Sequence, residues 1–145
     1  MNINHQRAVD RYIGVPICWL LSGINRVFKR EPDGIPPQKI LVILLSEMGS
    51  LVLAQPMFMR LKQQYPEAVI HVLMFGKNRE VLDLMELIPH ENVITLNDSS
   101  FKTLLKDSLN AIIKMRDLKI DVAIDCELFS RVSSIFSYLS GAVYR

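Results

Sequence analysis

Residues 39–56 read KILVILLSEMGSLVLAQP, an apolar run that breaks at a short polar stretch and resumes with a helical period. From Lys39 to Leu45 the run is rich in Ile, Val and Leu, without alternation. A strand with one wet face alternates, whereas a strand buried on both faces of a parallel sheet does not. The run is therefore expected to be a central strand. Ser46, Glu47, Met48, Gly49 and Ser50 then form a strand-to-helix turn at its carboxyl end, where open α/β sheets place their ligands. Gly49 permits a positive φ or a close backbone approach, and Ser50 is suited to capping the next helix.

Downstream of this stretch the pattern alternates between the two periods. Leu51, Ala54, Phe58, Leu61 and Tyr65 fall on one stripe, so residues 50–65 are expected to form an amphipathic helix that Pro56 kinks or begins and Pro66 stops. Residues 69–75, VIHVLMF, read as a second buried strand in which His71 is a packed core histidine. Residues 77–88 read as a helix with Val81, Leu84, Met85 and Ile88 inward, ended by Pro89. Residues 92–96 form a third strand. Asp98 or Ser99 is expected to cap a long helix whose inward stripe is Phe101, Leu105, Leu109, Ile112 and Ile113. Residues 121–126, DVAIDC, form the fourth strand, and residues 129–140 a helix with Gly141 in the C-cap position, leading toward a fifth strand. Strands separated by single helices require right-handed crossovers. The expected class is α/β, a Rossmann-like doubly wound parallel sheet over residues 39–145 that reads as cut off before its fifth strand.

Upstream, residues 1–38 differ in kind. Residues 12–24, YIGVPICWLLSGI, are apolar but broken by Gly14, Pro16 and Gly23, with Arg7 and Arg11 before them and Arg26, Lys29 and Arg30 after. As a helix at about 1.5 Å per residue such a segment falls short of the roughly 30 Å of membrane hydrocarbon. No small-residue cleavage site follows, so a secretory signal is not expected. Two alternatives stand. Residues 7–30 lie on a membrane surface, with Trp19 and the leucines in the headgroup layer and the basic flanks on anionic lipid, or they form a helix that packs on a protein domain. The run EPDGIPP at residues 31–37 is a linker, because its prolines cannot continue a helix.

Composition narrows the classes. With 145 residues, half of them hydrophobic and 22% charged, the chain can bury one sizeable core. A net charge of +2 with no basic run argues against nucleic acid. Two isolated cysteines, Cys18 and Cys126, without CxxC spacing or a histidine pair, point to a reducing compartment and give no zinc site.

Chemistry must come from strand ends. The first loop offers Ser46, Glu47, Gly49 and Ser50; the fourth strand ends in Asp125, Cys126 and Glu127, followed by Ser130 and Arg131. In a doubly wound order the first and fourth strands are neighbours, and both loops would line one crevice. Glu47, Asp125, Glu127 and Arg131 would then face a polyhydroxylated ligand, carboxylates accepting from hydroxyls and the guanidinium clamping a carboxylate or phosphate. The alternative is that Asp125 caps the following helix and pairs with Arg131. The glycines match neither GxGxxG nor GK[ST], so neither a dinucleotide nor a nucleoside triphosphate is expected here.

On these residues a resemblance stands out. KILVILLSEMGSLVLAQPMFMRLKQQYPEAVIHVL resembles the opening of glycosyltransferase family 9, the heptosyltransferases of lipopolysaccharide synthesis. Members begin with an apolar strand, a short Gly-Asp loop, a proline-bearing helix, a Tyr-Pro and a second strand. DVAIDCELFSR at residues 121–131 is similar to the family's later Asp-containing strand and helix start. The resemblance implies the amino-terminal half of a two-domain GT-B enzyme, inverting and metal-independent. This half would bind a lipopolysaccharide-type glycolipid acceptor. A carboxyl-terminal half would bind a nucleotide-sugar donor such as ADP-heptose. The place of work it implies is the cytoplasm, at the inner face of the cytoplasmic membrane.

The sequence departs from the family pattern at the base. Where the family has Asp after the loop glycine, Ser50 follows Gly49, and a serine hydroxyl is a poor base near neutral pH. Glu47 is the candidate replacement, with Asp125 and Glu127 as the other carboxylates in reach. Ser46, Gly49, Ser50, Asp125, Glu127, Ser130 and Arg131 are the candidate acceptor-binding residues. No residue is expected to supply a donor site, a metal site or a cofactor site, so the chain alone is not expected to transfer sugar. The rival from another class is a non-catalytic, flavodoxin-like binding or interaction module that uses the same sheet edge.

Overall fold

The structure, a computed structural model, describes residues 35–45, 48–127 and 131–145. The expectations for residues 1–34, and with them the N-terminal helix, lie outside these residues. Among the described residues four strands form: β1 (Lys39–Leu44), β2 (Val69–Phe75), β3 (Val93–Leu96) and β4 (Val122–Asp125). The helices are α1 (Met48–Leu53), α2 (Gln55–Gln64), α3 (Arg79–Leu84), α4 (Phe101–Leu118) and α5 (Arg131–Leu139). Short 3₁₀ turns at Gly76–Asn78 and His90–Asn92 precede α3 and β3.

All pairings are parallel, in the order β3-β2-β1-β4. The fold is α/β, and this order is compatible with the Rossmann-like order 3-2-1-4-5-6; it differs from the flavodoxin-like order 2-1-3-4-5, in which β1 lies between β2 and β3. Successive β1 side chains point to opposite faces and enter two separate cores. Ile40, Val42 and Leu44 meet Leu51, Phe58 and Leu82 from α1, α2 and α3. Leu41 and Ile43 meet Ala111 and Met115 from α4 and Phe136 from α5. Helices therefore cover both faces, which is why β1 is apolar at every position from Ile40 to Leu44. At the amino end of the sheet the Asp121 carboxylate accepts from the backbone N–H of Gln38 and Lys39 at 2.9 and 2.8 Å, fixing where the chain enters β1. Beyond α5, Gly141 takes φ +82 as a C-cap residue, and Tyr144 pairs with Val122 in parallel, on the side of β4 away from β1.

Several local expectations are corrected. Residues 50–65 form two helices with Ala54 between them, and Pro56 sits in the first turn of α2, where a missing N–H costs nothing. Ser50 lies inside α1 instead of capping it. The expected helix over residues 77–88 shortens to α3: Leu82 is its buried anchor, whereas Leu84, expected inward, is exposed. Ser100, and neither Asp98 nor Ser99, caps α4, its hydroxyl accepting from the Thr103 N–H at 3.2 Å. The inward face of α4 is also different. Ala111 and Met115 are buried, Leu104, Ile112 and Leu118 pack beside them, and Phe101, Leu105, Leu109 and Ile113 are exposed.

Candidate functional site at the carboxyl ends of β1 and β4

β1 and β4 end side by side. Ile43 pairs with Asp125, and the Cys126 N–H donates to the Ile43 carbonyl at 3.1 Å. The chain leaves β1 toward the α1, α2 and α3 face, and it leaves β4 toward the α4 and α5 face. Connections that diverge from adjacent parallel strands open a crevice at their carboxyl ends. The juxtaposition of the two strand ends expected from the sequence is thus present.

Asp125 is the best-defined side chain at this edge. One carboxylate oxygen accepts from the Glu127 N–H at 3.1 Å; the other accepts from the Ser133 and Ser134 hydroxyls at 2.9 and 3.3 Å. These bonds bind the strand end to the first turn of α5. Sequence reasoning named Asp125 but not its serine partners, which were legible only as hydroxyls two and three residues past Arg131. Glu127, half-buried, follows immediately, and exposed Arg131 opens α5. Cys126 is turned to the other side, its thiol 3.8 Å from the Met57 sulfur of α2. Burial, then the neighbouring Asp125 and Glu127 carboxylates, push its pKa up, so it stays a thiol and not a nucleophilic thiolate at neutral pH.

On the β1 side, Gly49 and Ser50 lie in α1. Gly49 does not have the positive φ for which the sequence left room, and a Cβ built on it would meet nothing within 4 Å. Open space beside a helical backbone leaves room for a ligand and removes any folding reason for glycine there. Ser46, Glu47 and Ser130 lie outside the described residues.

The same carboxyl edge carries a pair that sequence reasoning missed. Lys77, just after β2, bonds to Asp98, after β3, at 2.9 Å, and lies 5.2 Å from the centre of the Phe75 ring. The bond from Lys77 holds the Asp98 carboxyl below its ordinary range. The available signal was position alone: each follows the end of a strand by two residues. His71, expected in the core, is buried in β2, and its Nδ1 has no hydrogen-bond partner. Burial, then the positive charges of Lys39 and Lys114, lower its pKa, leaving a neutral imidazole.

Among the described residues no group of three His, Cys, Asp or Glu side chains could hold a metal ion. Among the same residues no helix is long and apolar enough to cross a membrane. Compared with protein-family models, curated proteins and solved structures, the chain finds no match in any of the three. The class that fold and site define is therefore an α/β parallel-sheet domain with a carboxylate-lined strand edge.

Proposed function

We propose that this chain is the acceptor-binding half of a family 9-like, inverting glycosyltransferase that moves a sugar, a heptose by resemblance, from a nucleotide-sugar to a lipopolysaccharide-type glycolipid. The observation that supports it most is the adjacency of the β1 and β4 carboxyl ends, where Asp125 pairs with Ile43 and Glu127 follows two residues on. Carboxylates at such an edge accept hydrogen bonds from sugar hydroxyls, and Arg131 offers a fork for an acidic group of the acceptor. In the transfer, a carboxylate takes the proton of the attacking acceptor hydroxyl while that oxygen bonds to the anomeric carbon. The bond from that carbon to the nucleoside diphosphate breaks, and the diphosphate leaves with the electron pair. Glu47 is the base in this reading. Asp125 holds α5 and can still accept from a sugar hydroxyl, since a carboxylate has about four lone-pair sites and three are used here. The site of action is the cytoplasmic face of the inner membrane, where such an acceptor is presented.

The engagement of Asp125 by Glu127, Ser133 and Ser134 favours a second reading, in which the edge is structural and the domain is a non-catalytic binding module. Calorimetry separates the two, because the second reading expects no heat with lipopolysaccharide core oligosaccharide. The transferase reading expects the chain to bind lipopolysaccharide core oligosaccharide and to bind no nucleotide-sugar. Heat with the nucleotide-sugar and none with the oligosaccharide would reverse the assignment of this half.

A further inference from the structure

α4 carries more apolar surface than its core contact uses. Phe101, Leu105, Leu109 and Ile113 recur every four residues and are 61%, 53%, 55% and 60% exposed. At about 100° per residue they form one stripe, beside the row of Ala111 and Met115 that meets the sheet. Single exposed leucines need no explanation, but a continuous apolar stripe marks a surface that something covers. Arg116, on the same side of the helix, donates through Nε to the Leu139 carbonyl of α5 at 2.6 Å, so the stripe continues a flank already in use.

We infer that residues 12–24 of this same chain lie along that stripe. Three observations select this occupant. First, the chain reaches β1 beside the C-terminal end of α4: the Lys39 Nζ donates to the Leu118 carbonyl at 2.8 Å. Second, the lengths match. The stripe from Phe101 to Ile113 runs about 18 Å, and the apolar segment would run about 20 Å as a helix. Residues 25–34, between the segment and the described chain, can extend to roughly 33 Å, enough to place the segment in either direction along α4. Third, the segment is itself a band of apolar residues, Ile13, Val15, Ile17, Trp19, Leu20 and Leu21, that needs cover. A second exposed apolar group, Val52, Leu53 and Leu84 on the opposite face, has no such connection to the entry point and serves as the control.

Trp19 is the only tryptophan, so all tryptophan emission comes from this segment. The full chain at low concentration should show a blue-shifted Trp19 with weak acrylamide quenching. Leu105→Gln with Leu109→Gln should red-shift it and raise quenching several-fold; Leu84→Gln should leave both unchanged. Substitutions at such exposed positions should leave the helical circular dichroism of the domain intact. As a second measurement, a short bismaleimide should join the native Cys18 to a cysteine placed by Leu105→Cys, Leu109→Cys or Ile113→Cys within one chain, and not to one placed by Leu84→Cys. The inference is overturned by a water-exposed Trp19. It is equally overturned by shielding indifferent to residues 105 and 109, shielding that vanishes on dilution, which means a second copy, or shielding that appears only with anionic vesicles, which means a membrane surface.

Discussion

Removing the Asp125 carboxylate tests how the β4 edge is held. In Asp125→Ala the Glu127 N–H, the Ser133 hydroxyl and the Ser134 hydroxyl lose acceptors at 3.1, 2.9 and 3.3 Å. Net contributions of single hydrogen bonds cluster around 1 kcal/mol, and bonds to a charged acceptor run higher where water is excluded. Asp125 itself is exposed while Ser133 is fully buried, so the Ser133 bond should dominate and the long Ser134 bond should add little. The expected loss is about 2 kcal/mol, a fall in Tm of roughly 4–8 °C for a chain of this size. Asp125→Asn, which keeps one acceptor oxygen, should lose about half as much. Thermal unfolding followed by circular dichroism measures both. A cycle of Asp125→Ala and Ser133→Ala should show a coupling of about 1 kcal/mol, since the two side chains touch. Unchanged melting of Asp125→Ala would refute the reasoning, showing that the carboxylate does not anchor α5.

Gly49→Ala should stabilise the chain by about 0.5–1 kcal/mol, because its Cβ enters open space in a helix, while Gly141→Ala should destabilise it, meeting Arg116 Cδ at 3.3 Å from a backbone at φ +82. If Gly49 instead serves ligand approach, the same Gly49→Ala weakens oligosaccharide binding without lowering Tm. Burial holds the His71 pKa below its unfolded value, so the unfolded chain takes up a proton that the folded chain refuses. Stability should therefore fall as pH drops below about 6.5, and His71→Leu should flatten that slope in denaturant midpoints measured from about pH 7 to pH 5. The Lys77–Asp98 pair acts in a separate, more acidic window, because the Asp98 pKa lies below its ordinary carboxylate value and that contribution is lost only as pH falls through it. Joined to a donor-binding half, Glu47→Gln should lower turnover by about 100-fold or more; normal turnover would move the base to another carboxylate.

The fold was legible where burial and period coincide. Past Lys39 at the sheet edge, β1 and β2 have no polar position except His71, a run that fits a strand covered on both faces. α4 was legible as a helix but not in orientation. Leu104, Ala111, Met115 and Leu118 form one apolar row and Phe101, Leu105, Leu109 and Ile113 another, and periodicity ranks the bulkier row higher. The sheet takes the row with Ala111, whose small side chain lets the helix approach closely. Ser100 caps α4 while Asp98 is held by Lys77, a pairing across 21 residues that no local pattern reveals. At the candidate site the strand ends were legible from topology. The bonds of Asp125 to Ser133 and Ser134 were not, since they depend on how α5 returns over the sheet.

The most direct measurement is a backbone-amide NMR titration of the isotopically labelled chain with lipopolysaccharide core oligosaccharide. A sugar acceptor held between the β1 and β4 ends should shift Gly49, Ser50, Asp125, Cys126, Glu127 and Arg131 together, saturably, and leave the Asp121 end of the sheet unmoved. Saturable shifts confined to that opposite end, or none anywhere at millimolar ligand, would contradict it.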